Sequence, residues 1–331
     1  MQIGPEALVL GAHWNKPMGL SLGHTGRVLQ SGYGLEFSRG GIYKALARLA
    51  SKVEPTDHGP ALSLCLSEDK YGLRKSLRAK GLLVTARKSN VNWVDETGWR
   101  VGGHSQWLWV AVSELVTVYS ILPGRGSEQL KQILGADYDA WWLHDGLRCY
   151  LSLDQANHPT CLTHLIRRCK EMAERATPAA AQFPWQVKKL LQQALLLGDR
   201  YELQQVTPHG LTVATGRLEA ARDRLLEKNY RTASNERLAK HLRPQRDYLF
   251  PFLHCPGLEG TNNRAERAMR PAVIARKVWG GNRTWSGANV QQILMSVLRT
   301  FPQPGKDAFA SLVELLRLPG HKILEIVPTM A

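Results

Sequence analysis

The chain has 331 residues, of which 44% are hydrophobic and 21% are charged. This composition is typical of a globular protein with a full core, and no apolar run approaches the roughly 20 residues that a transmembrane helix needs. The formal net charge of +15 argues against an enzyme of small anions and favours a polyanionic partner, nucleic acid above all.

The N-terminus MQIGPEALVLGAHW lacks the basic start and long apolar segment of a signal peptide, which predicts a cytoplasmic protein. The five cysteines are odd in number and form no C-x-x-C pair, so a secreted disulfide framework is not expected. Cys161, His164 and Cys169 lie close together in CLTHLIRRC. Their spacing fits no standard zinc module, and a fourth ligand would have to come from His158 or Cys255, so structural zinc stays open.

Residues 17–52 predict two short helices around a glycine-containing turn, SGYGLEF. Ser38 can cap the second helix, whose apolar residues recur at helical spacing. The apolar side comprises Ile42, Leu46 and Leu49, and the outer side comprises Arg39, Lys44 and Arg48. This pattern is compatible with a helix-turn-helix whose second helix enters a major groove. A small helical bundle with ordinary surface charges is the alternative.

After a basic, helix-prone run, the sequence becomes rich in Val, Trp, Tyr and Thr. Residues 91–122 predict three adjacent antiparallel strands, with turns at 102–103 and 113–115. The segment GSEQLKQILG predicts a helix opened by Ser127 and closed by Gly135. The segment YDAWWLHDG predicts a short buried strand that ends at Asp145.

Two acids close apolar stretches of these predicted strands, Asp95 after VNWV and Asp145 after AWWL. If the strands are neighbours, the two carboxylates could share a divalent ion, since a cation relieves their repulsion. Hard oxygen ligands suit Mg²⁺ or Mn²⁺. Taken singly, each acid is also consistent with an ordinary turn residue. Glu96 should point to the opposite face of the strand from Asp95.

A third acid, Glu266, lies among arginines in TNNRAERAMRP. One interpretation is a solvated helix face on which Arg270 offsets Glu266. The other is that Glu266 binds a metal ion and the arginines bind phosphates. Between residues 165 and 245, helical apolar spacing and few β-branched residues predict a helical region.

Consecutive blocks of the chain resemble the insertion sequence 66 family of bacterial transposases. In order they are WVDETGWRVGGHSQWLWVAVSELVTVYSILPGRGSEQLKQILG, HDGLRCY, CLTHLIRRC and TNNRAERAMRPAVIARKVWGGNRTWSGANVQQILMSVLRT. The similarity runs from about residue 90 to 315, with a weaker one across the N-terminal helices.

The resemblance implies an α/β fold with a ribonuclease H-like mixed sheet flanked by helices, a helical insertion and a small helix-turn-helix-like region. On this interpretation the N-terminal helical region, a candidate for DNA binding, is 1–88. The catalytic domain begins at 89–164, is interrupted by a helical insertion at 165–250, and resumes at 251–331 with the helix that carries the glutamate.

The resemblance also implies a DDE triad of Asp95, Asp145 and Glu266 that binds two Mg²⁺ or Mn²⁺ ions. Such an enzyme would cleave DNA and transfer the strands of an insertion sequence by in-line displacement at phosphorus. Cys161 and His164 resemble the C-x-x-H element that follows the second acid in several DDE groups, and His164 would lie beside the site and contact the scissile phosphate. A buried histidine bonded to a backbone carbonyl is the alternative.

The basic residues around Glu266 would face the DNA backbone. They are Arg264, Arg267, Arg270, Arg276 and Lys277. Asn262 and Asn263 would cap the helix and orient the carboxylate of Glu266. We expect Pro271 to kink or end this helix, so that Lys277 need not share a face with Glu266.

The following block contains a glycine turn whose backbone amides could approach phosphate. Trp279 or Trp285 in this block would either stack on an unpaired base or belong to the core.

The implied partner is double-stranded DNA, both element ends and target, bound by a homo-oligomer in a synaptic complex. Family members usually carry a further N-terminal DNA-binding portion, whereas this chain starts at Met1 close to the first matched helices. This predicts a shorter variant, a truncated relic or a protein that works with helper proteins of the same element. The alternatives are a nuclease or resolvase of the same fold, and a catalytically silent, transposase-derived DNA-binding protein. An RNA-binding helical protein suits the charge but not the β-rich block at 91–122.

Overall fold

The computed structural model describes residues 3–53, 80–146, 157–303 and 305–317. Within these ranges the chain forms twelve α-helices and four strands, which confirms the predicted α/β class. It divides into two compact units. Unit 1 spans Met1–Tyr138 and Arg264–Ala331, and unit 2 spans Asp139–Asn263.

The elements are numbered in chain order. The first part of the chain contains α1 (Pro5–Asn15), α2 (Leu22–Tyr33), α3 (Arg39–Val53), α4 (Lys80–Lys88), β1 (Val91–Val101), β2 (His104–Val112), β3 (Thr117–Leu122) and α5 (Ser127–Leu134). Unit 2 contains β4 (Trp141–Leu143), α6 (Leu162–Glu174), α7 (Pro178–Glu202), α8 (Pro208–Leu226), α9 (Ala233–Leu242) and the short 3-10 helices Arg243–Tyr248 and Pro251–Leu253. The chain then forms α10 (Asn263–Trp279), α11 (Trp285–Thr300) and α12 (Ala308–Arg317). No helix in these described ranges is both long enough and apolar enough to cross a membrane.

The predicted pair of N-terminal helices is present as α2 and α3. The Oγ of Ser38 accepts a hydrogen bond from the Gly41 N–H at 3.0 Å, so Ser38 caps α3 as expected. The apolar side of α3 is buried and its basic side is exposed. The turn was predicted too early in the chain, because α2 continues to Tyr33 and ends at Gly34, whose φ of 66° suits a helix C-terminus.

Strands β1, β2 and β3 form the predicted antiparallel meander in unit 1, with turns where the sequence placed them. Asp95 of β1 lies opposite Val110 of β2, and Val110 lies opposite Tyr119 of β3. Val110 and Tyr119 are both buried, so the backbone that carries Asp95 belongs to the packed part of the sheet.

Helix α11 covers β3 through polar side chains. Three backbone N–H groups of β3 donate to them: Thr117 to Thr300 Oγ1 at 3.1 Å, Tyr119 to Ser296 Oγ at 2.8 Å and Ile121 to Gln292 Oε1 at 2.9 Å. The match is geometric, because four residues of helix rise about 6 Å and two residues of strand rise about 6.6 Å. The outward N–H groups of this strand are therefore satisfied within the chain.

Helix α10 runs from Asn263 to Trp279 with Pro271 inside it, so of the two expected effects of Pro271, a kink or an end, the end is wrong. Pro271 cannot donate to the carbonyl of Arg267, four residues earlier. Arg267 lies on the exposed side of the helix, where water can satisfy that carbonyl.

Unit 2 is mostly helical, and the helices predicted between residues 165 and 245 are present as α6 to α9. They enclose a core of their own, to which Leu165, Phe183, Leu191 and Leu238 contribute buried side chains. The backbone of β4 and of His144 pairs in parallel with residues 157–160, just before α6.

Candidate active site

Asp95 is a half-buried residue in the middle of β1, and its Oδ1 accepts a hydrogen bond from the backbone N–H of Glu96 at 2.9 Å. Because side chains alternate along a strand, Asp95 shares a face of β1 with Trp93 and Thr97. Glu96 belongs to the other face, where its buried carboxylate accepts a hydrogen bond from Arg125 Nε at 2.7 Å. Glu96 is thus held by an arginine.

Helix α10 lies along the β1 face that carries Asp95. Near its start, the Arg264 guanidinium lies 4.4 Å from the centroid of the Trp93 ring. Near its end, Arg276 Nη1 donates to Thr97 Oγ1 at 2.9 Å and to the Gly98 carbonyl at 2.7 Å. The two arginines therefore hold α10 against β1 on either side of Asp95.

These anchor points bracket two of the three acids singled out in the sequence. Asp95 lies between them on β1, and Glu266 lies between them on α10. Both acids are half-buried and both belong to unit 1. The acids are therefore carried by packed elements, an arrangement that suits a preorganised site.

The exposed side of α10 is basic. Arg267, Arg270 and Lys277 are exposed, and their spacing of three and seven residues places them on one side of the helix. Because the helix is unbroken, Lys277 projects in nearly the same direction as Glu266, three turns away. Ile274, about half exposed at 49%, lies within the same stripe.

In unit 2, Asp145 follows β4 in a segment fixed by backbone bonds. The carbonyl of His144 accepts from the Cys161 N–H at 2.9 Å, and the Gly146 N–H donates to His144 Nδ1 at 2.9 Å. Burial, reinforced by nearby His158, lowers the pKa of His144 to about 3, so this ring is neutral at physiological pH. His144 is thus bonded to the residue that precedes α6, and Gly146 is bonded to His144.

Cys161 and His164 meet at the N-terminus of α6. Cys161 occupies the N-cap position, and its Sγ accepts a hydrogen bond from the Asn262 N–H at 3.2 Å. Burial raises the pKa of the Cys161 thiol, but hydrogen bonds from His164 and Asn262 lower it by more, so the net shift is downward. Asn262 also stands directly before α10, four residues from Glu266. The sequence had suggested for His164 either a contact with the scissile phosphate or a bond to a backbone carbonyl, and neither predicted its bond with Cys161.

Cys169 belongs to a different environment from Cys161. It is fully buried in the helical core of unit 2, and burial raises its pKa to about 12. Eight residues of α6 separate the two cysteines, a rise of about 12 Å. Two thiolates on one zinc ion lie within about 5 Å of each other. A zinc site that uses both cysteines is therefore excluded.

Trp279, the last residue of α10, and Trp285 are both half-buried. The Lys16 ammonium lies 5.6 Å from the centroid of the Trp279 ring. Trp285 is the first residue of α11. Base stacking by either ring stays a prediction.

Arg39, at the start of α3, borders an open cleft of about 820 Å³ beside α2, which His24 and Arg27 also line. The Arg39 side chain packs over Gly23, where a Cβ would lie 3.1 Å from its Nε. Lys44 and Arg48 point outward from the far side of α3 and are exposed.

An α/β fold with acids on β1 and after β4, and with a basic exposed side on the third acid's helix, fits the class of nucleic-acid-processing enzymes. The chain belongs to the transposase IS66 family, whose model matches residues 79–290. No curated protein matches the chain. The matched range contains all three acids and β1 to β4.

Proposed function

We propose that this protein is a DDE transposase with a ribonuclease H-like catalytic domain, in which Asp95, Asp145 and Glu266 together bind two divalent ions. Membership of the transposase IS66 family supports the proposal. The observation that carries it is the anchoring of α10 along the β1 face that bears Asp95. That packing gives two acids, far apart in sequence, a fixed relation within unit 1.

The donor chemistry fits Mg²⁺ or Mn²⁺. Three carboxylates are hard oxygen ligands that leave positions for water and for phosphate oxygens. When bound, the ions would activate a water or a 3′-hydroxyl as the nucleophile and would stabilise the departing oxygen. Asp95 is the proposed ligand on β1, Asp145 is the one that follows β4, and Glu266 is the one on α10.

The positively charged residues divide into two roles. Arg267, Arg270 and Lys277, exposed on one side of α10, bind DNA phosphates. Arg264 and Arg276 contact β1 and act as positioning residues for α10, and their contact with the DNA backbone stays a prediction.

At the N-terminal end of the chain, α3 serves as a second DNA-binding element. Lys44 and Arg48 on its exposed side contact the duplex, and Arg39 contributes from the start of the helix. The substrates are the element ends and the target DNA, held by a homo-oligomer in the cytoplasm of a bacterium, with or without helper proteins of the same element.

In unit 2, His164 takes part through its hydrogen bond with Cys161. This bond orients the imidazole at the start of α6, beside the backbone that carries Asp145. Contact of the imidazole, held in this way, with the scissile phosphate is the role that we propose for His164. Replacement of Cys161 by Ser should retain the orientation better than replacement by Val.

The test is cleavage of DNA that bears the flanking inverted repeats, with Mg²⁺ or Mn²⁺, by wild type and by Asp145→Asn. We expect the variant to lose more than about a hundredfold in cleavage rate, because a metal ligand is removed. Asp139→Asn is the matched control, since Asp139 is an exposed acid six residues earlier.

Cleavage that survives Asp145→Asn would refute the proposal. A separate reaction with pre-cleaved ends measures strand transfer. A protein that cuts but does not join pre-cleaved ends would be a nuclease or resolvase, and one that binds but does neither would be a silent DNA-binding derivative.

A further inference from the structure

The loop between α10 and α11, residues 280–284, is bonded to the tip of the β1–β2 hairpin. The Asn282 N–H donates to the Arg100 carbonyl at 2.8 Å, and the Gly102 N–H donates to the Asn282 carbonyl at 2.9 Å. Trp99 Nε1 donates to Asn282 Oδ1 at 2.8 Å. Loop and hairpin tip therefore form one fixed surface within unit 1, which we call the hairpin-tip surface.

Glycines keep this surface free of side chains where the two segments meet. Gly281 has a φ of 120°, and a Cβ there would lie 2.3 Å from the Arg100 carbonyl oxygen, so only glycine fits. Gly102 and Gly103 at the hairpin turn are exposed. A surface without Cβ atoms lets a phosphate backbone approach the peptide groups closely.

Basic side chains surround these glycines. Arg100, His104 and Arg283 are all exposed. A Cβ at Gly102 would lie 3.5 Å from the Arg283 carbonyl oxygen and 4.0 Å from His104 Cδ2, so both residues border the same glycine. The three basic side chains thus extend from one small area.

The positive charge of this area is not neutralised locally. The sequence has no Asp or Glu from residue 97 to 113, nor between Glu266 and Asp307. Within the part of the chain that the structure describes, neither Arg100 nor Arg283 forms an ion pair. Unpaired arginines on an open surface are suited to phosphate oxygens of a polyanion.

We propose that Arg100, His104 and Arg283 on the hairpin-tip surface bind the sugar-phosphate backbone of duplex DNA. Arg100 lies five residues beyond Asp95 on β1, which is about 17 Å along the strand. One strand of DNA advances about 3.4 Å per nucleotide along the duplex axis, so with that axis parallel to β1 the contacted phosphates lie about five nucleotides from the reacting one. This distance rests on the proposed function, whereas DNA binding by the surface does not.

Binding is tested with the full chain and a 30-base-pair duplex in EDTA, by fluorescence anisotropy at several salt concentrations. We expect the double variant Arg100→Ala with Arg283→Ala to bind about tenfold more weakly. The slope of log Kd against log salt should fall by about 2, since each phosphate contact contributes about 0.9. Lysine at both positions should restore the slope, and circular dichroism checks the fold of each variant.

The matched control is Arg217→Ala with Arg231→Ala, which removes the same charge from exposed sites in unit 2. An equal loss in the control, or no loss in the hairpin-tip variant, overturns the proposal. So does a larger loss on RNA of the same length than on DNA.

Ethylation interference locates the contact. Phosphates about five nucleotides from the cleaved bond should interfere with wild-type binding and lose that effect in the double variant. Interference that is unchanged in the variant overturns the assignment. Cleavage by wild type, abolished by Asp145→Asn, would leave the proposed function standing even then.

Discussion

The arginines of α10 show how position on one helix separates structural from binding roles. Arg276 donates two hydrogen bonds to β1, whereas Arg270 is exposed. A hydrogen bond to a half-buried backbone carbonyl stabilises the fold, because its loss leaves the carbonyl poorly satisfied. An exposed arginine adds little to stability and is available to a phosphate.

We therefore expect Arg276→Ala to lower the free energy of unfolding by about 1–3 kcal/mol. Arg270→Ala should change it by less than about 0.5 kcal/mol and should reduce the salt slope of DNA binding by about 1. Urea denaturation and anisotropy titrations measure the two quantities. Equal destabilisation by both variants would contradict the separation of roles.

Lys16, at the C-terminal end of α1, is a buried cation in unit 1. Its Nζ donates to Gln291 Oε1 at 2.5 Å, and burial lowers its pKa from 10.5 to about 7. Between these two values the unfolded chain holds a proton that the folded chain has released. The free energy of unfolding should therefore rise as pH increases from 7.

Comparison of wild type with Lys16→Met isolates this contribution. The difference in unfolding free energy, wild type minus variant, should rise between pH 7 and 9 by up to about 1.4 kcal/mol per pH unit. Below pH 6 the difference should be flat. Parallel pH profiles for the two proteins would show that Lys16 does not titrate in this range.

At the level of elements, α11 protects the outer strand of the meander in unit 1. An exposed strand edge is a template for pairing with other chains, and the polar side of α11 occupies the N–H groups of β3 instead. Each of these N–H groups donates to a different side chain of α11, at every fourth helix position. A single substitution therefore removes the acceptor of one N–H group only.

Ser296→Ala removes the acceptor for the Tyr119 N–H. We expect a loss of about 1–3 kcal/mol in unfolding free energy, the cost of a buried donor left unsatisfied. Ser286→Ala is the control, since Ser286 is exposed on the same helix and water can replace its hydrogen bond with the Tyr43 hydroxyl, so its loss should cost less than about 0.5 kcal/mol. A loss as small for Ser296 as for Ser286 would mean that water replaces the missing acceptor.

The β1–β3 meander and α10 show which parts of the fold could be predicted from the sequence. The strands of the meander and their turns follow local signals, a Val- and Trp-rich run interrupted by Gly102 and Gly103, and these signals sufficed. The continuation of α10 through Pro271 did not follow, because it depends on whether the orphaned carbonyl faces water, which sequence alone does not tell. The anchoring of Arg276 on β1 joins residues far apart in the chain, and no local pattern indicates it.

In the candidate site, too, the sequence predicted residues but not the contacts around them. Asp95 and Asp145 were singled out because each closes an apolar stretch of a predicted strand, and Glu266 because of the family blocks, whereas the structure places Asp95 in the middle of β1. The contact between Asn262 and Cys161 within unit 2 was not predicted, because a hydrogen bond from a backbone N–H to sulfur leaves no pattern in the residue types.

At the level of the whole molecule, the described chain consists of two units with separate cores. The core of unit 2 is built from α6 to α9 and the short helices that follow, and its members lie between Leu162 and Leu253. By contrast, the residues that we propose for DNA binding lie in unit 1, apart from His164. Folding and DNA binding can therefore be tested on different parts of the chain.

We expect a fragment of residues 157–263 to fold alone, because its buried apolar residues pack mainly against one another. Its circular dichroism should be helical with a cooperative thermal transition, and Leu191→Ala should lower its unfolding free energy by about 2–5 kcal/mol, as for a buried leucine at 1% exposure. The fragment should bind duplex DNA more weakly than the full chain, since it lacks the basic side of α10 and the hairpin-tip surface. A random-coil spectrum would show that unit 2 depends on the rest of the chain, and full DNA affinity would move the binding surface into unit 2.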